Sequence, residues 1–189
     1  METLTEPFID LLRPTDPRWQ EALAKVRYDF FHLPGYLAAS AAHEGNEAQM
    51  FLLDAGSHGM LVPFLKRPLS EFGEDYRSFF DAASPYGYSG PLYWGELTPE
   101  ALASMHRQFE ACMREQRIVT IFLRLHPFLT PPVDWLEPLG QVVNHGPTIY
   151  MDLRDPEASW NDINSRNRSS INKLLRDGST VEFDQWQML

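Results

Sequence analysis

A group of basic residues lies near the carboxyl end of the sequence, in a segment without any acid. Its members are Arg166, Arg168, Lys173 and Arg176. The whole chain is acidic, with a formal net charge of −10. A concentrated positive segment on an acidic protein predicts a binding site for an anionic ligand, because guanidinium groups pair well with phosphate and carboxylate. The alternative is a solvated helix face whose arginines pair with nearby acids.

The spacing of the polar residues in this segment places them together. Asn164, Arg168 and Asn172 recur at every fourth residue, so they share one face of a helix. Arg168, Asn172 and Lys173 are therefore the candidate substrate-binding residues of this segment.

A second candidate site is the stretch DAASPYGYSGPLYW, residues 81–94. Its glycines and prolines impose backbone geometry that few other residues adopt. Its aromatic side chains combine apolar rings with polar tips, which suits the wall of a substrate groove. Tyr86 and Tyr88 are the candidate cleft residues here. A rigid aromatic turn that closes a sheet edge is the alternative.

The third candidate site is FLRLHPFL, residues 122–129. Arg124 is predicted to lie inside an apolar strand, and His126 is predicted at its end, where site residues often occur. A buried arginine needs a partner. A structural arginine–carboxylate pair with a hydrogen-bonded histidine explains the same residues. No partner for His126 is evident, so no catalytic base is assigned.

Metal binding finds no support in the sequence. The histidines form no pair with ligand spacing, and Cys112, the single cysteine, falls on the apolar stripe of a predicted helix.

Local signals predict an α+β domain with a mixed sheet flanked by helices. Helix starts are predicted at Asp16-Pro17, Thr98-Pro99-Glu100 and Asp155-Pro156-Glu157, and a further helix covers 32–43. The last helix is predicted to run to Asp177, with Gly178 as its cap. Strands are predicted at 49–53, 59–65, 78–83, 118–125 (buried), within 141–153 and from 180. The predicted order is α-α-β-β-β-α-β-β-α-β.

The bulk properties limit the class of protein. An acidic chain is unsuited to general DNA binding, which needs a basic face, although a local site for a tRNA end remains open. One cysteine cannot form a disulfide within the chain, and the sequence shows neither a secretory leader nor a membrane span. We therefore expect a cytoplasmic protein.

Six segments, taken in order, resemble one known family. They are FFHLPGYL, MLVPFLKR, DAASPYGYSGP, FLRLHPFL, TIYMDLRDPEASW and RNRSSINKLLRDGSTVEF. Together they are similar to the FemAB-like branch of the acetyltransferase (GNAT) superfamily, which includes the aminoacyltransferases that build peptidoglycan bridges. The resemblance covers about residues 28 to 184. Its strength lies in the order and spacing of the segments rather than in any one of them.

The resemblance implies a particular activity and domain arrangement. Family members usually carry two tandem lobes, and residues 1–189 are similar to the first, with the second absent and the first incomplete at its carboxyl end. Arg168-Ser169-Ser170-Ile171 matches the family's pattern on the last helix, which implies that this helix approaches the substrate cleft. An anionic sugar nucleotide, a charged tRNA end or an acyl-CoA would lie there. Acyl-CoA or aminoacyl-tRNA would act as a co-substrate rather than as a tightly bound cofactor.

One departure bears on activity. The glycine-rich loop on which CoA-dependent acetyltransferases bind pyrophosphate is missing from this sequence. Its absence fits a first lobe and leaves that lobe dependent on the second for activity. Two alternatives remain open at this stage: a single-lobe acetyltransferase acting on a small amine, and a non-catalytic binding domain with the same fold.

Overall fold

A computed structural model describes residues 7–181. The chain divides into two compact units, Met1–Asn144 and His145–Leu189. No helix in the described part of either unit is both long and apolar enough to cross a bilayer.

The first unit contains a six-stranded mixed sheet. Its strands are β1 (Phe8–Leu12), β2 (Glu47–Asp54), β3 (His58–Pro68), β4 (Phe80–Ala83), β5 (Leu92–Gly95) and β6 (Ile118–Phe122). Its helices are α1 (Arg18–Leu23), α2 (Pro34–Glu44), α3 (Pro99–Glu115) and α4 (Val133–Leu136). The predicted α+β class is therefore confirmed, with a mixed sheet flanked by helices.

Strand β3 organises the sheet. It pairs with β2 along one edge, and β2 pairs with β1 on its far side, all antiparallel. The other edge of β3 is shared, because β5 pairs with 58–61 and β4 pairs with 65–68. Pro63 lies in the interruption between them, where a missing backbone N–H does least harm. β6 then runs parallel to β4.

Alternation along the central strands produces two cores. Met50 and Leu52 of β2 face α1 and α2, whereas Phe51 and Leu53 face α3. The predicted apolar stripe of α3 contributes Leu102, Met105, Phe109 and Met113 to the second core, and Cys112 packs at its margin. The sheet is thus covered by helices on both faces.

The helix-start signals are confirmed. α1, α3 and the first helix of the second unit begin at Arg18, Pro99 and Pro156, and the Thr98 hydroxyl accepts a hydrogen bond from the Ala101 N–H at 3.2 Å. The predicted hairpin at 49–65 is also confirmed. Both depend on contacts between residues close in sequence.

Two of the strand predictions were wrong. The strand predicted as buried at 118–125 ends at Phe122 and forms an edge of the sheet, so Val119 and Phe122 are 59% and 56% exposed. Arg124 consequently lies beyond the strand and is exposed. Residues 141–153 form no strand, and β1 and β5 were not predicted.

The second unit contains two helices, α5 (Pro156–Asp162) and α6 (Ser165–Arg176). The single long helix predicted here is interrupted because Ile163 is extended and the Asn164 side chain caps α6, accepting a hydrogen bond from the Asn167 N–H at 2.9 Å. Gly178 ends α6 with a φ of 78°, as predicted. Thr180 and Val181 are not in a strand, and the remainder of the strand predicted from 180 lies outside the described residues.

Candidate functional site

The parallel strands β4 and β6 end side by side, and their following segments stay linked. The Ser84 N–H donates to the Phe122 carbonyl at 2.8 Å, and the Arg124 N–H donates to the Ser84 Oγ at 3.0 Å. The carboxyl ends of parallel strands are where open α/β sheets commonly bind ligands. We therefore expect a functional site at this end of the sheet.

The loop 84–91 leaves β4 here and packs against the segment before α2. Gly87 has a φ of 99°, and an ideal Cβ on it would lie 2.2 Å from the Phe31 ring. The Tyr36 hydroxyl donates to the Tyr86 carbonyl, and the Phe31 and Tyr88 rings meet edge to face at 5.7 Å. The predicted aromatic turn is thus packed against two aromatic side chains from another segment, Phe31 and Tyr36.

His126 has a carboxylate partner that the sequence did not reveal. Its Nε2 lies 3.0 Å from Asp29 Oδ2, and its Nδ1 accepts the Phe128 N–H at 3.0 Å. Because Nδ1 is an acceptor, Nε2 carries the proton and donates it to Asp29. The His126 side chain is 6% exposed and that of Asp29 is 36% exposed. The histidine is therefore enclosed, and the carboxylate is the reachable member of the pair.

His32 is fully buried and contacts the backbone of Asp29. Its Nδ1 accepts the Asp29 N–H, and its Nε2 donates to the Gly90 carbonyl, each at 3.3 Å. The Trp19 indole N–H donates to the His32 carbonyl at 2.9 Å. Burial holds the pKa of His32 below its usual 6.5. His32 therefore joins loop 84–91 to the Asp29 segment as a neutral ring.

Acidification should weaken the fold through this histidine. In the unfolded chain His32 binds a proton below about pH 6.5, whereas in the folded protein its lowered pKa keeps it neutral to a lower pH. The free energy of unfolding is therefore unaffected by His32 above about pH 6.5 and decreases as the pH falls toward the lowered pKa. His32→Gln, which keeps a donor for Gly90, should flatten the pH dependence of the unfolding free energy between pH 7 and 5. Urea titrations at each pH measure it. The exposed His43→Gln is the control, and an unchanged slope in His32→Gln would contradict the assignment.

We name this arrangement the strand-end site, defined by Asp29, His32, Tyr36, Tyr88 and His126. Two further predicted residues, Tyr86 and Arg124, lie around the same loop. The Tyr88 ring lies 6.1 Å from the His126 ring, Tyr86 is 81% exposed, and Arg124 Nη1 donates to the Pro85 carbonyl at 3.2 Å. Four residues predicted from separate motifs, Tyr86, Tyr88, Arg124 and His126, thus lie around one loop.

Arg124 differs from its prediction in one respect. It was expected to be buried inside a strand and to need a partner, for which a carboxylate was the alternative explanation. Instead it is exposed, and its guanidinium contacts a backbone carbonyl and lies 5.7 Å from the centre of the Phe122 ring. The reason is the early end of β6, which leaves Arg124 outside the sheet. An exposed guanidinium remains free to bind an anion, so its substrate-binding role stays a prediction.

The remaining predicted site residues belong to the second unit. Arg168 is half-buried, and its Nη1 donates to the Asn161 carbonyl at 2.9 Å and to the Trp160 carbonyl at 3.5 Å. It therefore caps the last turn of α5, where carbonyls lack helical partners. Asn172 and Lys173 are exposed on α6. Their role in binding substrate also stays a prediction.

Removing the Arg168 cap should loosen α5. Arg168→Ala leaves two α5 carbonyls without their donor, and we expect a local loss of about 1 kcal/mol. That loss corresponds to roughly fivefold faster amide exchange across 156–164. Hydrogen–deuterium exchange measures it, with Arg166→Ala, an exposed arginine on the same helix, as the control. Equal amide exchange rates across 156–164 in the two variants would show that the Arg168 cap does not stabilise α5.

Asp29 and His32 were missed in the sequence although a local signal was present. In DFFH the Asp29 side chain accepts the Phe30 N–H while His32 reaches back to the Asp29 N–H, a reciprocal cap on a short helical turn. That pattern could have marked the two residues as a pair. It could not have shown that Asp29 meets His126, which is 97 residues away.

Other reactive groups lie away from this site. Burial raises the pKa of the Cys112 thiol to about 11, so it stays protonated at neutral pH. Across residues 7–181, no cluster of three or more histidine, cysteine or acidic side chains could hold a metal ion.

The geometry of the strand-end site allows one kind of chemistry. One oxygen of the Asp29 carboxylate accepts a backbone N–H and the other accepts His126 Nε2–H, while part of the group faces solvent. A carboxylate held in this way can bind an ammonium group or accept a proton. Comparison with protein-family models, curated proteins and solved structures found no match to this chain.

Proposed function

We propose that this protein transfers an acyl or aminoacyl group to an amine, as the FemAB-like resemblance implies. The observation that carries the proposal is the Asp29–His126 pair at the carboxyl ends of β4 and β6, in a mixed sheet flanked by helices. The pair supplies what the sequence lacked, a candidate proton acceptor with a fixed orientation.

The reaction needs few groups from the protein. The amine nitrogen attacks the carbonyl carbon of a thioester or an ester, and its proton passes to the Asp29 carboxylate. The carbon–sulfur or carbon–oxygen bond then breaks, and the leaving group takes up the proton held by Asp29, which restores the carboxylate. Alignment and proton acceptance suffice, so no covalent nucleophile is required. His126 holds the carboxylate in place, and the Tyr88 ring lies beside the His126 ring.

The finer assignments follow the same resemblance. Arg168, Asn172 and Lys173 of the second unit are proposed to bind an anionic group, such as that of a sugar nucleotide, an acyl-CoA or a tRNA acceptor end. Arg124 of the first unit is proposed separately as a substrate-binding cation beside loop 84–91. The chain would form the first lobe of a tandem pair acting in the cytoplasm on a cell-envelope precursor.

Two turnover assays test the proposal. In the first, acetyl-CoA and a panel of amines are mixed with the full-length protein, second lobe included, and the released thiol is measured with a colorimetric reagent. In the second, alanyl-tRNA and a UDP-linked muropeptide precursor replace them, and the aminoacylated product is followed by mass. Turnover in either assay supports the proposal. Absence of turnover in both, together with no heat of binding for any donor or acceptor, contradicts it.

A binding domain without catalysis is the second candidate. The observation in its favour is that His32 and His126 each use both ring nitrogens in hydrogen bonds, as histidines with a purely structural role do. This candidate predicts measurable heat of binding with the UDP-linked precursor and no turnover in either assay.

A further inference from the structure

A cavity of about 440 Å³ lies in the first unit, formed by segments that adjoin the strand-end site in the chain. Residues 25–27 precede Asp29, residues 92–95 follow loop 84–91, and residues 128–129 follow His126. Volumes of this order are typical of sites for small molecules. Neither the proposed transfer reaction nor the sequence motifs assign a ligand to it.

The charged side chains that line this cavity are both positive. Lys25 and Arg27 line it, and no acidic side chain does. The Lys25 ammonium forms an ion pair with Asp54 and lies 5.7 Å from the centre of the Trp94 ring, so its charge is largely balanced. Arg27 is exposed and has no ion-pair partner among residues 7–181. Its guanidinium remains available to an anion.

A second observation concerns Trp94, which also lines the cavity. The residue is 9% exposed, and its indole N–H has no acceptor among the described residues. A buried donor without an acceptor costs free energy, and native proteins rarely leave one unmatched. The hydroxyl of the neighbouring Tyr93 has a hydrogen-bond partner, because it lies 3.2 Å from His106 Nε2.

Apolar side chains form part of the wall. Val26 and Leu129 pack against the core that contains Leu92, and all three line the cavity. These side chains match a hydrocarbon or aromatic body. A bare inorganic anion would leave them uncovered.

We propose that this cavity binds a small organic carboxylate with an apolar body. The carboxylate pairs with the Arg27 guanidinium, and the apolar body lies against Val26, Leu92 and Leu129. The planar fork of arginine matches the two oxygens of a carboxylate. This site is independent of the proposed transfer reaction, and binding here requires neither turnover nor the second unit.

Titration of the full chain tests the proposal. The probes are 3-phenylpropionate, isovalerate, the two corresponding amides and inorganic phosphate, and binding is followed by changes in the amide NMR spectrum. We expect saturable shifts with the carboxylates at millimolar concentration and none with the amides. In Arg27→Gln the dissociation constant for 3-phenylpropionate should rise at least tenfold. Arg107→Gln, an exposed arginine on α3 away from the cavity lining, should leave it unchanged.

Three outcomes would overturn the proposal. One is the absence of saturable shifts with both carboxylates. Another is equal affinity in the wild type and in Arg27→Gln, whose exposed side chain should be dispensable for folding. The third is equal or tighter binding of inorganic phosphate, because the apolar wall would then contribute nothing.

Discussion

Asp29→Asn should lower transfer turnover about 100-fold, the order of magnitude that a positioned proton acceptor contributes. The amide cannot take the proton of the attacking amine. It also cannot give an oxygen to both the Phe30 N–H and His126 Nε2–H, as the carboxylate does. The measurement is the initial rate in whichever assay shows turnover for the wild type, under saturating donor and acceptor.

The loss must be separated from a loss of structure. One unmatched hydrogen bond should cost about 1 to 2 kcal/mol, so the variant should stay folded, and a thermal melt checks this. Asp75→Asn, an exposed aspartate outside the site, is the matched control. Turnover within twofold of the wild type in folded Asp29→Asn would remove Asp29 from the mechanism without excluding the transferase activity itself.

Gly95→Ala should destabilise the first unit by about 3 kcal/mol. Gly95 ends β5 with a φ of 81°, and an ideal Cβ there would lie 1.9 Å from the Ser57 carbonyl oxygen. The obstacle is backbone of the β2–β3 turn, which cannot rotate away as a side chain can. The melting temperature should fall by roughly 9 °C for a protein of this size.

A second glycine provides the control for that change. Gly35 lies in α2, and an added Cβ meets no atom within 4 Å. Gly35→Ala should be neutral or should stabilise the protein by about 0.5 kcal/mol, because alanine favours the helix. A melting temperature in Gly95→Ala equal to that of the wild type would mean that β5 does not pair with β3 as described.

Local sequence signals predicted much of the secondary structure. Thr98-Pro99 starts α3, Gly178 ends α6, and the turn around Gly56 joins β2 to β3, because each signal acts between residues a few positions apart. A signal of the same short range explains why the single long helix predicted at 155–177 was wrong. The Asn164 cap interrupts the last helix through a contact with Asn167, a signal that could have been found in the sequence.

Strands were predicted less well because their stability depends on neighbours distant in sequence. β5 is short and was missed, yet it is stable against β3. The apolar stretch at 141–153 was predicted as a strand and forms none, since an apolar alternation makes a strand only where a neighbouring strand supplies hydrogen bonds. Position at the edge of the sheet likewise decided that β6 is exposed.

The sequence by itself determined the α+β class, the helix starts and the central hairpin. It also identified Tyr86, Tyr88, Arg124 and His126 as candidate site residues, without showing that they lie around one loop. Only the tertiary structure decided how those residues are used. It brought Asp29 to His126, left Arg124 beyond the end of β6, and directed the Arg168 guanidinium to the end of α5. The reason is physical: propensities and caps act over a few residues, whereas the partner of a side chain is decided by where the sheet brings distant segments together.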